Sequence, residues 1–236
     1  MAVMTSKQQV VNHVLGVIVP NPEPAVPLPI LEQFIFGICR EEATPEMAQQ
    51  AYENLRTHFF DWNEIRVSSV GEIEDALAGL SDTEMRANRI LAFLQDVFET
   101  NYSFNLDSLQ KKGLKDAAKT LKGLKASNDY VVSWVLQRSL GGHALPTDAA
   151  SLRVVQRLGL IDSTTSEPEA ARATLEHLVP KAKGCHFTDA ISILAEQVCW
   201  EDTPRCGRCP LKELCPSSQA NEAEPSNGRG KSRSRG

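Results

Sequence analysis

Four cysteines crowd one short stretch near the C-terminus. Cys199, Cys206, Cys209 and Cys215 form a C-x6-C-x2-C-x5-C array within seventeen residues. Thiolates are soft ligands, and four in one loop suit a soft metal centre. An iron–sulfur cube takes one thiolate per iron and tolerates uneven spacing. Zinc also accepts four sulfurs, usually from two paired knuckles, and only one close pair stands here. Both readings are open from spacing alone. Cys39 and Cys185 lie outside the array and read as small core residues.

A second concentration is basic. Lys111, Lys112, Lys115, Lys119, Lys122 and Lys125 face a single acid, Asp116, for a local charge of +5. Such a patch suits phosphate contact, although a lysine run also makes an ordinary solvated face. The chain as a whole runs the other way. Its 236 residues carry a formal net charge of −5, and the first 220 alone carry −7. Nucleic-acid binding by bulk charge is disfavoured; a localised basic patch is not.

The elements that must position these groups read as helices. Thr44-Pro45-Glu46 looks like an N-cap followed by proline at the first helical position. Met47, Ala51, Leu55 and Phe59 then recur every four residues. Ser81 with Glu84, and Ser166 with Glu169, have capping-box spacing, and Thr188 stands as a cap before a last apolar helix. Asp148 is placed to cap the helix after it, and Gly159 to end that helix. No stretch alternates with a two-residue period, so the fold class is all-α. Residues 20–29 hold five prolines and read as a linker, and the polar segment 217–236 as a disordered tail. The apolar run Val14 to Val19 is too short to span a membrane or to serve as an export signal. A cytoplasmic monomer is expected, nucleoid-associated if the source is bacterial.

Four segments together resemble a known family. Pro204-Arg205-Cys206-Gly207-Arg208-Cys209, then Leu214-Cys215, is similar to the C-terminal signature of endonuclease III, in the helix-hairpin-helix DNA glycosylase superfamily. Leu121-Lys122-Gly123-Leu124-Lys125-Ala126-Ser127 stands where that family has its Leu-Pro-Gly-Val-Gly hairpin. Asp148, Arg153, Val154 and Arg157 match its aspartate-headed helix, and Gly79 to Ile90 resembles the barrel helix before the hairpin. The resemblance spans roughly residues 28–216.

The resemblance implies two all-α lobes: a six-helix barrel over residues 28–144 with the hairpin, and an iron–sulfur domain joining 1–27 to 145–216. It implies a [4Fe-4S] cluster on Cys199, Cys206, Cys209 and Cys215. Double-stranded DNA would contact Lys122, Gly123, Leu124, Lys125, Arg205 and Arg208. Asp148 would be the catalytic carboxylate of a base-excision DNA N-glycosylase, supplying negative charge where the sugar becomes cationic.

Departures from the pattern carry their own implications. Ser127 occupies the place of the lysine that forms an imine with the sugar in strand-cleaving members. A hydroxyl cannot do this, so lyase activity is disfavoured. Ser127 then has a secondary catalytic role or caps the next helix. Lys125 replaces the second hairpin glycine, Glu201 and Asp202 make the cysteine loop acidic, and Cys39-Arg40-Glu41-Glu42 offers no glutamine wedge. These changes keep a rival in view: a non-catalytic DNA-binding paralogue. A zinc-stapled helical interaction module is the third reading.

Overall fold

The computed structural model describes residues 6–19 and 28–223. All regular elements among them are helical. In chain order they are α1 (Lys7–Val17), α2 (Ile30–Arg40), α3 (Pro45–His58), α4 (Trp62–Val67), α5 (Val70–Ala76), α6 (Thr83–Asn101), α7 (Leu114–Lys122), α8 (Asp129–Ser139), α9 (Ala149–Arg157), α10 (Pro168–Leu178), α11 (Gly184–Gln197) and α12 (Pro216–Ala223). Short 3-10 turns include Cys206–Arg208 and Lys212–Leu214 in the cysteine loop.

The apolar residues gather into two cores. The first runs from Ile30 on α2 to Val135 on α8. Its axis is α2, whose sequence is apolar around most of its circumference and which therefore sinks between its neighbours. Phe34 stacks on Phe93 of α6 at 3.9 Å between ring centroids. Gly37 lets α8 come close, because a Cβ there would meet the Trp134 ring at 3.2 Å. The Trp134 indole N–H donates to Gln33 Oε1 at 3.1 Å, so this tryptophan belongs to the core.

The second core joins α1 to α9, α10 and α11, with Leu211 and Cys215 at its edge. Polar ties connect the two cores. Gln137 Nε2 on α8 donates to Thr188 Oγ1 on α11 at 3.2 Å, and Arg138 pairs with Asp189 at 2.7 Å. Arg172 on α10 donates to Ser133 Oγ on α8 at 2.7 Å.

Several local expectations change. Thr44 does cap α3, accepting from the Met47 N–H at 3.0 Å, but the buried face is Ala48, Ala51, Tyr52 and Leu55. Met47 points outward because the helix phase is set by Tyr52 and Leu55. The two capping boxes read at Ser81 and Ser166 do not form. α6 is headed by Asp82 in a left-handed conformation (φ 49°), and Pro168 opens α10 after Glu167. Thr188 lies inside α11, where its hydroxyl serves Gln137. The segment from Ser217 continues helically as part of α12, since Pro216 packs onto Gly159 and starts the turn. Residues 224–236 and most of the proline-rich linker lie outside the described residues.

Candidate active-site cleft and cysteine loop

The site begins at the end of α2. Helix C-termini leave carbonyls without partners, and here two buried arginines take them. Arg86, 2% exposed, donates to the carbonyls of Ile38, Glu41 (2.7 Å) and Ser81 (2.8 Å). Arg40, also 2% exposed, donates to the Ala43 carbonyl. Together they fix the turn Glu41–Ala43 with Glu42 at φ 51°, a left-handed conformation uncommon for a residue with a side chain.

That turn aims the Glu42 N–H across to Asp148. Asp148 is the N-cap of α9 and is 8% exposed. Its Oδ1 accepts from the Ser151 N–H at 2.8 Å and its Oδ2 from the Glu42 N–H at 2.9 Å. The carboxylate is thus held at both oxygens, at one wall of a cleft of about 370 Å³. The cleft is acidic: Glu41, Glu42, Asp129, Asp148, Glu167 and Glu169 line it, with Arg172 as its basic group. Partial desolvation, then the neighbouring Asp148 and Glu41 carboxylates, push the Glu42 carboxyl above its ordinary range. Glu41 is tied back by Arg89 at 2.7 Å and by Asn128. Asp129 is partly desolvated, which alone would raise it, yet Lys122 foremost and Arg172 hold its carboxyl below the usual range.

The hairpin lies between α7 and α8. Gly123 ends α7, donating to the Lys119 carbonyl at 3.2 Å. Leu124 and Ser127 N–H groups close successive turns, and Ala126 takes φ 64°. The Lys125 N–H donates outside the hairpin, to Asp96 Oδ2 on α6 at 2.9 Å. The six lysines are exposed, but the two at the hairpin have acidic neighbours. Lys122 pairs with Asp129 at 2.8 Å, and Lys125 lies 4.0 Å from Asp96 and 3.7 Å from Glu99.

Ser127 is not the cap of α8. Asn128 fills that place, its side chain accepting from the Val131 N–H at 2.9 Å. Among the described residues Ser127 Oγ is buried without a hydrogen-bond partner, and Ser127 is not among those lining the cleft. The structure brings Asp148 to the cleft and leaves Ser127 beside it.

The four array cysteines border one small, mostly apolar cavity of about 30 Å³, enclosed by Val154, Leu194 and Leu211. Burial, and then the other thiols, push Cys215 and Cys209 upward. Among the described residues, no three metal-ligating side chains converge on a single ion position. A zinc ion at about 2.3 Å from each sulfur would draw the thiols to one point. Four thiolates are a donor set that either such an ion or an iron–sulfur cube, which takes one thiolate per iron, accepts. Arg157 spans this loop: its guanidinium donates to the carbonyls of Trp200 and Glu201 (2.6 Å) and lies 3.6 Å from Cys199 Sγ. Arg153 donates to the Cys199 carbonyl at 3.1 Å. One helix, α9, therefore carries Asp148 at its start and supports the cysteine loop at its end. Arg205 stacks on Trp200 at 3.7 Å, and Arg205 and Arg208 are both exposed on the outer face.

Sequence reasoning singled out Asp148, the hairpin and the cysteines. It missed Glu42 as the partner of Asp148, and Asp96 as the partner of the hairpin. Neither has a local signature, because each contact joins segments far apart in the chain.

No family model matches the chain. It is 25% identical to endonuclease III of Synechocystis sp. over 191 residues, covering 81% of this chain and 83% of that protein. It is 27% identical to an endonuclease III homolog of Encephalitozoon cuniculi over 114 residues, 47% of this chain and 46% of that protein. A solved non-covalent endonuclease III–DNA complex superimposes with a TM-score of 0.72 and 17% identity, covering 94% of this chain and 100% of that one. Among the described residues no helix is long and apolar enough to cross a membrane.

Proposed function

The chain is endonuclease III-like, of the helix-hairpin-helix DNA glycosylase superfamily, and we propose on that footing that it is a monofunctional DNA N-glycosylase of base-excision repair. Its DNA would be double-stranded and its location cytoplasmic, at the nucleoid if the source is bacterial, with the protein working as a monomer. The observation that carries the reading is Asp148, whose two oxygens are fixed by Ser151 and Glu42 on the wall of a cleft large enough for a nucleobase.

A target base would be extruded from the duplex into this cleft. As the glycosidic bond lengthens, positive charge grows on the sugar, and the fixed carboxylate stabilises it without reorganising. Water then adds to the sugar carbon and gives its proton to Asp148. The base departs with the electron pair of the broken bond. With Ser127 in place of an amine, no imine forms and the strand stays intact.

The two cores support a division into a barrel lobe over residues 28–144 and a second lobe formed by the N-terminal helix with residues 145–216. Cys199, Cys206, Cys209 and Cys215 would hold a [4Fe-4S] cluster. When bound, that group cross-links the loop and presents Arg205 and Arg208 toward DNA; Arg157 and Arg153 hold the loop to α9. Lys122, Gly123, Leu124 and Lys125 would meet a phosphate on the other side.

The test is excision across duplexes bearing oxidised, alkylated and mismatched bases. Abasic product that breaks only after alkali, with no covalent complex on borohydride treatment, supports the reading. A specific observation favours one alternative. Among the described residues the cleft holds six acidic side chains against one arginine, which opposes entry of a nucleotide with its phosphates and suits a non-catalytic paralogue that binds DNA outside the cleft. Salt-dependent duplex binding with no excision of any base would establish that alternative.

A further inference from the structure

The hairpin of this chain already holds an anion of its own. The Lys125 N–H points out of the turn and donates to Asp96 Oδ2 at 2.9 Å. The Lys125 ammonium stands beside the same carboxylate, 4.0 Å from Oδ1, and 3.7 Å from Glu99. An outward amide flanked by an ammonium is an anion-binding pair, and carboxylate and phosphate oxygens are alike as charged acceptors. Asp96 comes from another helix, 29 positions away, and its side chain is 19% exposed, so a ligand can reach the contact.

We infer that Asp96 occupies the anion position of the hairpin and that a DNA phosphate binds by displacing it, so that this carboxylate sets the affinity and salt dependence of DNA binding. The inference rests on the DNA-binding part of the proposed function. It also joins two features of the sequence. Lysine stands where a second glycine was expected, and that lysine comes with an acidic partner on α6. On binding, the amide exchanges one charged acceptor for another, and the Lys125 ammonium is released to the same phosphate.

The competing account makes Asp96 a brace that only shapes the turn. Asp96→Asn separates the two, because it keeps an acceptor oxygen for the Lys125 N–H and removes the charge. Binding of a fluorescent, undamaged duplex is measured by anisotropy across a salt series. Asp96→Asn is expected to bind about threefold to tenfold more tightly at moderate salt, the scale of the difference between a hydrogen bond to a charged acceptor and one to a neutral acceptor. Glu99→Gln, which removes a charge one turn away without touching the amide, is expected to change binding less than about twofold. Equal tightening by the two variants would reduce the effect to bulk charge and overturn the inference. So would unchanged or weaker binding by Asp96→Asn. Absence of binding by wild type and Asp96→Asn at every salt concentration would remove the DNA-binding reading itself, and this inference with it. A readout on the unaltered protein stands beside these. The carboxylate carbon resonance of Asp96 should move toward that of a solvent-exposed aspartate when duplex is added. A resonance that stays in place at saturating DNA overturns the displacement.

Discussion

The backbone N–H of Glu42 donates to Asp148 Oδ2 at 2.9 Å across 106 positions of sequence. This contact, with that of Arg172 to Ser133, ties the two halves together at the cleft and leaves the carboxylate with both oxygens engaged. The turn that makes it possible has Glu42 in a left-handed conformation, secured by Arg86 and Arg40 from beneath.

Asp148→Asn should therefore lose excision while largely keeping its fold. Asparagine still caps α9 through Ser151, but it lacks the charge that stabilises a cationic sugar. A fall of about 10²- to 10³-fold in the single-turnover rate is expected. Asp148→Ala should add about 1 kcal/mol of destabilisation by removing the cap, read from thermal melting. Full activity in Asp148→Asn would sink the catalytic assignment.

Glu42 gives a pH signature. Its carboxyl is raised, by desolvation first and by Asp148 and Glu41 next. A raised acid favours the folded state when protonated, so its contribution is present at low pH and is lost as pH rises through the raised value. Glu42→Gln should consequently be more stable than wild type at neutral pH, by less than about 1 kcal/mol because the side chain is solvent-facing. The difference should vanish in acid. Denaturant melts at several pH values decide it, and a gain that grows on acidification would contradict the assignment.

Ser127 offers a sharp negative control. Its hydroxyl is buried and, among the described residues, without a hydrogen-bond partner. Ser127→Ala should leave excision unchanged and alter stability by no more than about 1 kcal/mol, upward if at all. A large loss of rate would return Ser127 to the catalytic machinery.

The cysteine loop predicts a metal content. Protein purified without oxygen should be brown and carry about four irons per chain. Cys206→Ser should lower iron content and visible absorption and loosen the loop, leaving α2 to α8 folded. A colourless protein with one zinc would select the stapled-module reading.

Arg157 is the strongest support of that loop. Arg157→Met should cost about 0.5–1.5 kcal/mol by removing the hydrogen bonds to the Trp200 and Glu201 carbonyls, read from thermal melting. Iron loss under a chelator should also quicken. Equal chelator kinetics in wild type and variant would show that the loop holds without it.

Local chemistry made part of this protein legible from its sequence alone. The cysteine spacing, Gly159 ending α9, and the Thr44 and Asp148 caps all act within a few residues of themselves, so composition and spacing suffice to find them. The helical character follows the same way, from periodicity and the absence of alternation. Other features depended on the packing of distant helices. Asn128 caps α8 in place of Ser127, and Thr188 sits inside α11, because helix phase is fixed by which face the neighbouring core accepts. The partners of the two anion positions, Glu42 for Asp148 and Asp96 for Lys125, lie on separate elements. Only the tertiary structure could choose them, since a hydrogen bond has a reach of about 3 Å in space and none along the chain.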